Sequence, residues 1–412
     1  GCSLREALAS ADTNTNVGGC TGSGGGVPFT INVPAGTYTL TVDELRVGDD
    51  TNTNTSIVGA GAGSTTIRQT TANRRVFDIN PPTSFGVVTP NVSVSISGVT
   101  ITGGNSPSDN FGGAGLFAGG PGNALSLSNC IVSSNSLPAG TFNVGAGVNY
   151  AGGGTLTINN CQFNNNTAVN VGGAIRYDLL NNPGAAGAGG LSITNSSFSG
   201  NTAGASGTAA GGAIRVAVTT TQTPSAFTIS NKTFTGNQAS AGFGGAIGDS
   251  SSQPSTMRFN RFFNNSASQG SGIYKTSNSA AGDTINATHN WWGCNAGPGN
   301  TGCDSIGGET ASINTAPRLV MSHVPAVGTL QQGSSTTLTA SFLTDSAGAA
   351  VSTANLSRII GAPITFNNPT RGSLSGAQTT VQSNGTATAT FTAGTTAADC
   401  GAGGARAVFD NQ

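Results

Sequence analysis

Charge is what this chain has least of. Asp, Glu, Lys and Arg make up 8% of its 412 residues, against about 25% in an average soluble domain. With 15 Lys+Arg against 16 Asp+Glu there is no basic surface for a nucleic acid or an anionic membrane. The two histidines, His289 and His323, stand apart, and no Cys/His spacing matches a zinc site. No glycine-rich stretch runs into the Lys-Ser/Thr of a phosphate loop, so neither a metal nor a cofactor is expected. No apolar run approaches the roughly 18 residues of a membrane span. The chain starts at Gly1 without an initiator Met or a signal peptide, which reads as a processed chain or a segment of a longer one. Lysine is nearly absent while cysteine occurs seven times, a balance that suits an oxidising, exterior compartment.

Glycine and a repeated phrase fill the space that charge leaves. The 64 glycines fit tight bends. Between Val94 and Lys275 one phrase recurs: SGVTITGG, SNCIVSSN, NNCQFNNN, TNSSFSGN, SNKTFTGN and FNRFFNNS. The first five follow an apolar residue, Ile96, Leu127, Ile158, Ile193 and Ile229, and the sixth opens on one, Phe259, at intervals of 31, 31, 35, 36 and 30. Each is followed by GGAGL, GAGV, GGAI or GSGI. A period of this length means stacked supersecondary units.

Within one unit, Leu156 and Ile158 alternate as in a strand, Asn160 interrupts, Cys161 and Phe163 resume, and Gly172-Gly173-Ala174-Ile175 opens a third extended piece. Period-2 alternation excludes helical repeats. Three short strands per unit predict one coil of a right-handed parallel β-helix, since a single coil cannot bury its apolar face alone. The inward columns are expected to be Ile96-Leu127-Ile158-Ile193-Ile229-Phe259 and Ile101-Val132-Phe163-Phe198-Phe234-Phe263. Asn129, Asn160, Asn195 and Asn231 should form a ladder at a bend.

At the front, Ser3-Leu4-Arg5-Glu6 has the spacing of a capping box, so a helix with Leu4, Leu8 and Ala11 on one face should cover the open first coil. Arg68, Arg74 and Arg75 form either a surface charge cluster or a sugar- or partner-binding patch. Near the end of the solenoid, Trp291 and Trp292 read as a cover for the last apolar coil, with stacking on a sugar ring as the alternative. Past Pro317 the pattern becomes six or seven alternating strands, the signature of a β-sandwich. The resulting division is a solenoid over 1–316 (cap 1–27, clearest repeats 94–275, closing cap 285–304) and a sandwich over 317–412.

Cys2 with Cys20 and Cys294 with Cys303 are the close pairs and are expected as disulfides. Cys130 and Cys161 share one repeat position and should stack, as thiols or as a bonded pair. Cys400 is the odd seventh cysteine and points to an intermolecular partner.

CSLREA, followed by VGGCTGSG and VPAGTYTL, resembles the N-terminal module of bacterial secreted proteins named for that motif. The GGAI and N-x-x-F phrases are similar to those of polymorphic-outer-membrane-protein-like β-helices, and HNWWGCNAGPGNTGC looks like their NWWG element. The stretch from PRLV to NGTATAT resembles bacterial immunoglobulin-like domains. The resemblance implies an extracellular or cell-surface location. It also implies a strand before CSLREA and another after AVFDNQ, both absent here, so the sandwich is expected to lack its last strand.

Parallel β-helices often house polysaccharide lyases and hydrolases. Hydrolysis needs two carboxylates roughly 5 to 9 Å apart, and a lyase a base beside bound calcium. The repeat region offers only Asp109, Asp178, Asp249 and Asp283, and of these Asp178 and Asp249 follow GGAI phrases at nearly equal offsets. Arg176, Arg215 and Asp178 could line one outer face as a ligand patch or as a solvated ion pair. No enzyme activity is expected. The function anticipated is a bacterial extracellular structural or surface protein that joins head to tail with copies of itself or with other surface components. Its alternatives are an adhesin for a glycan or host protein and a polysaccharide lyase or glycoside hydrolase.

Overall fold

The computed structural model describes residues 1–22, 28–48, 54–80, 91–105, 111–120, 123–138, 144–152, 154–179, 190–205, 208, 210–218, 226–276 and 283–412; Asp109 lies outside them. Among the described residues, four parallel sheets build the solenoid. One has ten strands, from Phe29–Val33 to Ile313–Asn314; one has eight, from Gly36–Leu40 to Arg261–Phe263; one has nine, from Leu45–Val47 to Ile306–Gly308. The fourth has five strands, from Ser136–Leu137 to Ser266–Gln269, the first three of them two residues long. A single coil therefore runs Thr155–Asn159, Gln162–Asn164, Thr167–Ala168, Ile175–Leu179. The expected three strands are joined by a two-residue fourth, too short to show as an alternation in sequence.

Register follows side-chain parity. Ile158 pairs with Leu127 on one side and Ile193 on the other, and Phe163 with Val132 and Phe198. These columns are buried, as one-face burial along a period-2 strand requires. Phe163, Phe198, Phe234 and Phe262 stack with centroids 5.0, 5.0 and 5.2 Å apart.

The last repeat departs from the expected columns. Thr228 pairs with Thr256, so buried Met257, and not Phe259, continues the column after Ile229; Phe234 pairs with Phe262, not Phe263. Phe259 instead occupies the left-handed corner (φ 56°) taken in earlier coils by Asn129, Asn160, Asn195 and Asn231. Asparagine tolerates that conformation; Phe259 holds it while stacked on His289, whose φ is 57°.

Those corner asparagines do not form the continuous ladder expected of them. Asn160 Nδ2 donates to Asn129 Oδ1 at 2.7 Å, but Asn195 Nδ2 turns to Asn159 Oδ1. The continuous ladder is one turn later and buried: Asn135, Asn166, Asn201, Asn237 and Asn265. Each Nδ2 donates to the side-chain oxygen one coil on, at 3.0, 2.9, 2.9, 2.9 and 2.6 Å, the last acceptor being Asp304 Oδ2. The second amide hydrogen goes back to a core carbonyl, as from Asn201 to Phe163 O. Every buried polar atom of these asparagine amides thus has a partner, as a dry interior demands.

At the front, Leu4–Thr13 is the expected helix, with the Ser3/Glu6 capping box formed and Leu8 and Ala11 buried. It packs on Phe29–Val33 and Leu45–Val47 and is tied at its base by the Cys2–Cys20 disulfide. Arg5 extends from it to the carbonyls of Asp43 and Glu44 at 2.6 and 2.5 Å.

Beyond Pro317 a four-stranded antiparallel sheet runs in the order Ser322–Pro325, Ser335–Ser341, Thr386–Ala393, Gly372–Ser375, beside a ribbon of Thr365–Thr370 and Gly404–Val408. Leu338, Phe342, Phe366, Phe391 and Phe409 fill its core. The two tryptophans part company here, because successive side chains of an extended chain point to opposite sides. Trp292 stacks on Phe262 at 4.9 Å and closes the solenoid's aromatic column. Trp291 enters the other core, edge-on to Phe342 and Phe409 at 5.4 Å each. Both are 0% exposed; capping of the last coil falls to Trp292 alone, and neither ring is free to stack on a sugar.

The end of the chain clamps the two units. Asp410 accepts from Trp291 Nε1 at 2.7 Å and from Arg261 Nε at 2.9 Å, while Arg261 lies over the Phe409 ring. Asn411 Nδ2 donates to Asn264 Oδ1 and Gly302 O, both at 3.0 Å. Asp410→Ala should cost about 3 kcal/mol, since it strands two buried donors. Trp291 emission should shift to the red with Trp292 still buried; an unchanged spectrum and denaturation midpoint would show that the clamp carries no stability.

Candidate functional site

The polar outer face of the nine-strand sheet is where the sequence placed a ligand patch. Val148–Gly152, Ile175–Leu179 and Ile214–Val218 are adjacent there, so Asn149, Arg176 and Arg215 fall in one row. Arg176 NH2 pairs with Asp178 Oδ2 and its NH1 donates to Asn149 Oδ1 at 3.3 Å. Arg215 NH1 donates to Ser250 Oγ, itself 2.6 Å from Thr276 Oγ1. The three expected residues are thus brought together. They are not a solvated patch: the Arg176 side chain is 20% exposed and Asp178 3%. Burial lowers Arg176, against the pull of Asp178, and brings Arg215 down to about 10, with Arg176 beside it adding to the effect. Two guanidiniums one coil apart, with one carboxylate, form a cross-coil polar brace.

Asp178 and Asp249, at nearly equal offsets after their GGAI phrases, lie on opposite faces. Asp249 is two residues after Ile247 and faces inward beside Val216, whereas Asp178 is three after Ile175 and faces outward beside Ala217. One residue of offset inverts the face. Asp249 instead meets Lys275 and Asp283 inside the solenoid, with Lys275 Nζ 3.5 Å from Asp249 Oδ2 and 2.7 Å from Asp283 Oδ1. All three side chains are at most 4% exposed, and burial raises the Asp249 carboxyl above its ordinary range.

The arginines near the front divide, Arg68 exposed and Arg74 half-buried, with Arg75 withdrawn from the surface. Arg75 is buried, pairs with Asp78 at 2.8 Å and lies 5.0 Å from the Phe117 ring centroid. Arg74 Nε bridges Asp43 at 3.1 Å and Glu44 at 3.7 Å. Hydrogen bonding from Glu44 holds Asp43 low, while burial pushes Glu44 up.

Of the cysteines, Cys294–Cys303 closes the loop around the last coil as expected. Cys130 and Cys161 stack as thiols in consecutive coils, Cys130 N donating to Cys161 Sγ at 3.4 Å. Cys400 is exposed and accepts from Gln332 Nε2 at 3.3 Å. Their column continues through Ser196 to Lys232, a lysine with 0% exposure that sequence reading passed over because it sits in an otherwise polar phrase, SNKTFTGN. Its Nζ donates to Ser230 O, and burial, with Arg358 adding to it, brings its pKa down to about 6.

Among the described residues no group of three or more His, Cys, Asp or Glu could hold a metal ion, and no helix is long and apolar enough to cross a membrane. No family model matches the chain, and neither curated proteins nor solved structures give a match.

Proposed function

We propose that this chain is an extracellular structural or surface protein, a right-handed parallel β-helix rod with an immunoglobulin-like end module, that associates head to tail with further copies of itself. One observation carries the reading. Among the described residues, the strand Gly404–Val408 is hydrogen-bonded on a single side, to Thr365–Thr370. The sheet continues beyond that partner through Ile364 to Thr379 and Val381 to Ala362, so the open edge belongs to Gly404–Val408. An open edge accepts an extended segment of another chain. The opposite end of the rod presents a helix-covered coil, so a copy docking there makes a heterologous contact, and such contacts propagate unless the rotation closes a ring. Two disulfides support an exterior compartment, and the sequence motifs support a bacterial surface origin.

Light scattering and negative-stain imaging over a range of concentrations test the reading. Growth into filaments or layers is expected; uniform monomers at every concentration would overturn it. Retention on a glycan array, or release of reducing or unsaturated ends from a polysaccharide, would replace it with the adhesin or the degradative reading.

A further inference from the structure

The chain has two lysines, Lys232 and Lys275, and both are enclosed in the solenoid. Lysine is almost never fully buried unless paired, and a surface with no lysine at all leaves the amine function concentrated in the core. Lys275 differs from Lys232 in what surrounds it. It stands one coil beyond Asp249 in strict register, with Asp283 on the chain leading into the next strand, Ile285–Asn286.

We propose that Lys275 and Asp283 join through a side-chain amide, an isopeptide bond from Lys275 Nζ to Asp283 Cγ, with Asp249 moving the protons. The contacts suit each role. Nζ is 2.7 Å from Asp283 Oδ1, yet that oxygen accepts no hydrogen bond, so the amine sits against the carboxyl group without being aligned as a donor to it. Attack needs the carboxyl carbon within roughly 3 to 3.5 Å of the amine, and the 2.7 Å contact places Nζ against that same group. Asp249 is held ready by Ser251 N, which donates to its Oδ1 at 2.8 Å, and its Oδ2 faces Nζ at 3.5 Å. Nζ also donates to Ser251 O, which orients the amine.

The proton count permits the reaction. One ammonium, one carboxylate and one carboxylic acid hold the same protons as one neutral amine and two carboxylic acids. A proton passed from Nζ to Asp283 converts the first set into the second, which is the set the step uses. The Nζ lone pair attacks Asp283 Cγ, Asp249 accepts a proton from nitrogen, and it returns one to the departing hydroxyl. A C–N bond forms, a C–O bond breaks, one water leaves, and Asp249 ends as it began. Nothing is oxidised or reduced. The product ties the nine-strand sheet to the lead-in of the ten-strand sheet and replaces three buried ionisable groups by one amide and one acid.

Mass spectrometry of the folded protein decides it. After reduction and alkylation, trypsin has a single internal site, Lys275, between Arg261 and Arg318. The expected product is one uncleaved peptide, residues 262–318, lighter than its sequence by one water and giving no separated fragments between 275 and 283. Peptides 262–275 and 276–318 at full mass would overturn the proposal, and so would a water-loss product still cleaved at Lys275, which marks a succinimide. Asp249→Asn, verified as folded by circular dichroism, should restore cleavage at Lys275 in most of the protein; an undiminished cross-link in that variant would remove Asp249 from the mechanism.

Discussion

Replacing Phe198 by aspartate should leave a solenoid that melts far below the parent or does not fold. Phe198 lies between Phe163 and Phe234, 5.0 Å from each and with no exposed surface. Losing a buried phenylalanine costs about 3 to 5 kcal/mol, and an unpaired carboxylate in the same place adds several more. Because coils are held by their neighbours, the defect sits in the middle of the array, where it breaks two interfaces at once. Thermal melting followed by circular dichroism reads the effect. A parent-like midpoint would mean that the aromatic column is not a load the fold depends on.

Lys232→Met should have the opposite sign. Burial takes the Lys232 pKa from 10.5 to about 6, so at neutral pH the unfolded chain carries a proton that the folded chain must release. That release costs about 5 kcal/mol at pH 7, and methionine of similar length removes it while filling the same column. The sign fixes the pH dependence. A group whose folded pKa is lowered imposes no cost above its unfolded pKa; the cost grows as pH falls and levels off below about 6. The advantage of Lys232→Met over the parent should therefore be largest at and below neutrality and shrink towards pH 10. Denaturant titration of both proteins at the two pH values measures it, and a constant difference would show that the lysine is charged in the folded state.

The repeated coil was legible because Ile158, Phe163 and Ile175 and their counterparts keep both type and spacing, and period-2 burial has only one register that puts them inside. Legibility failed where parity had to be counted across a respelled coil. In FNRFFNNS three phenylalanines compete for two inward positions, and the choice of Met257 and Phe262 is settled by hydrogen-bond register with the preceding coil. The same parity separates Asp178 from Asp249, and it could have been read from their distances to Ile175 and Ile247. Asparagines are so frequent that the corner set and the ladder set look alike in sequence; only the corner needs a left-handed backbone, and only the ladder position is sealed from water. The Trp291-Trp292 pair was assigned one role where strand geometry gives two. A buried charge such as Lys275 resists reading because its partner Asp249 is recognisable only once coils are stacked, whereas Arg75 has Asp78 three residues on in its own coil.

The asparagine ladder also sets the grammar by which such a rod can change length. Each rung donates forwards and accepts from behind, and the series ends on Asp304, a group that accepts without needing to donate. A whole coil inserted or removed between two rungs keeps every donor matched to an acceptor. Extra residues in the loops are absorbed, since successive rungs lie 31, 35, 36 and 28 residues apart, but a part of a coil that displaced a rung would leave its amide facing the wrong coil, at about 1 to 3 kcal/mol for each group stranded. Growth is therefore quantised: the molecule can be lengthened or shortened in units of one coil with its terminator untouched, so its reach is a quantity that duplication or deletion can adjust in discrete steps.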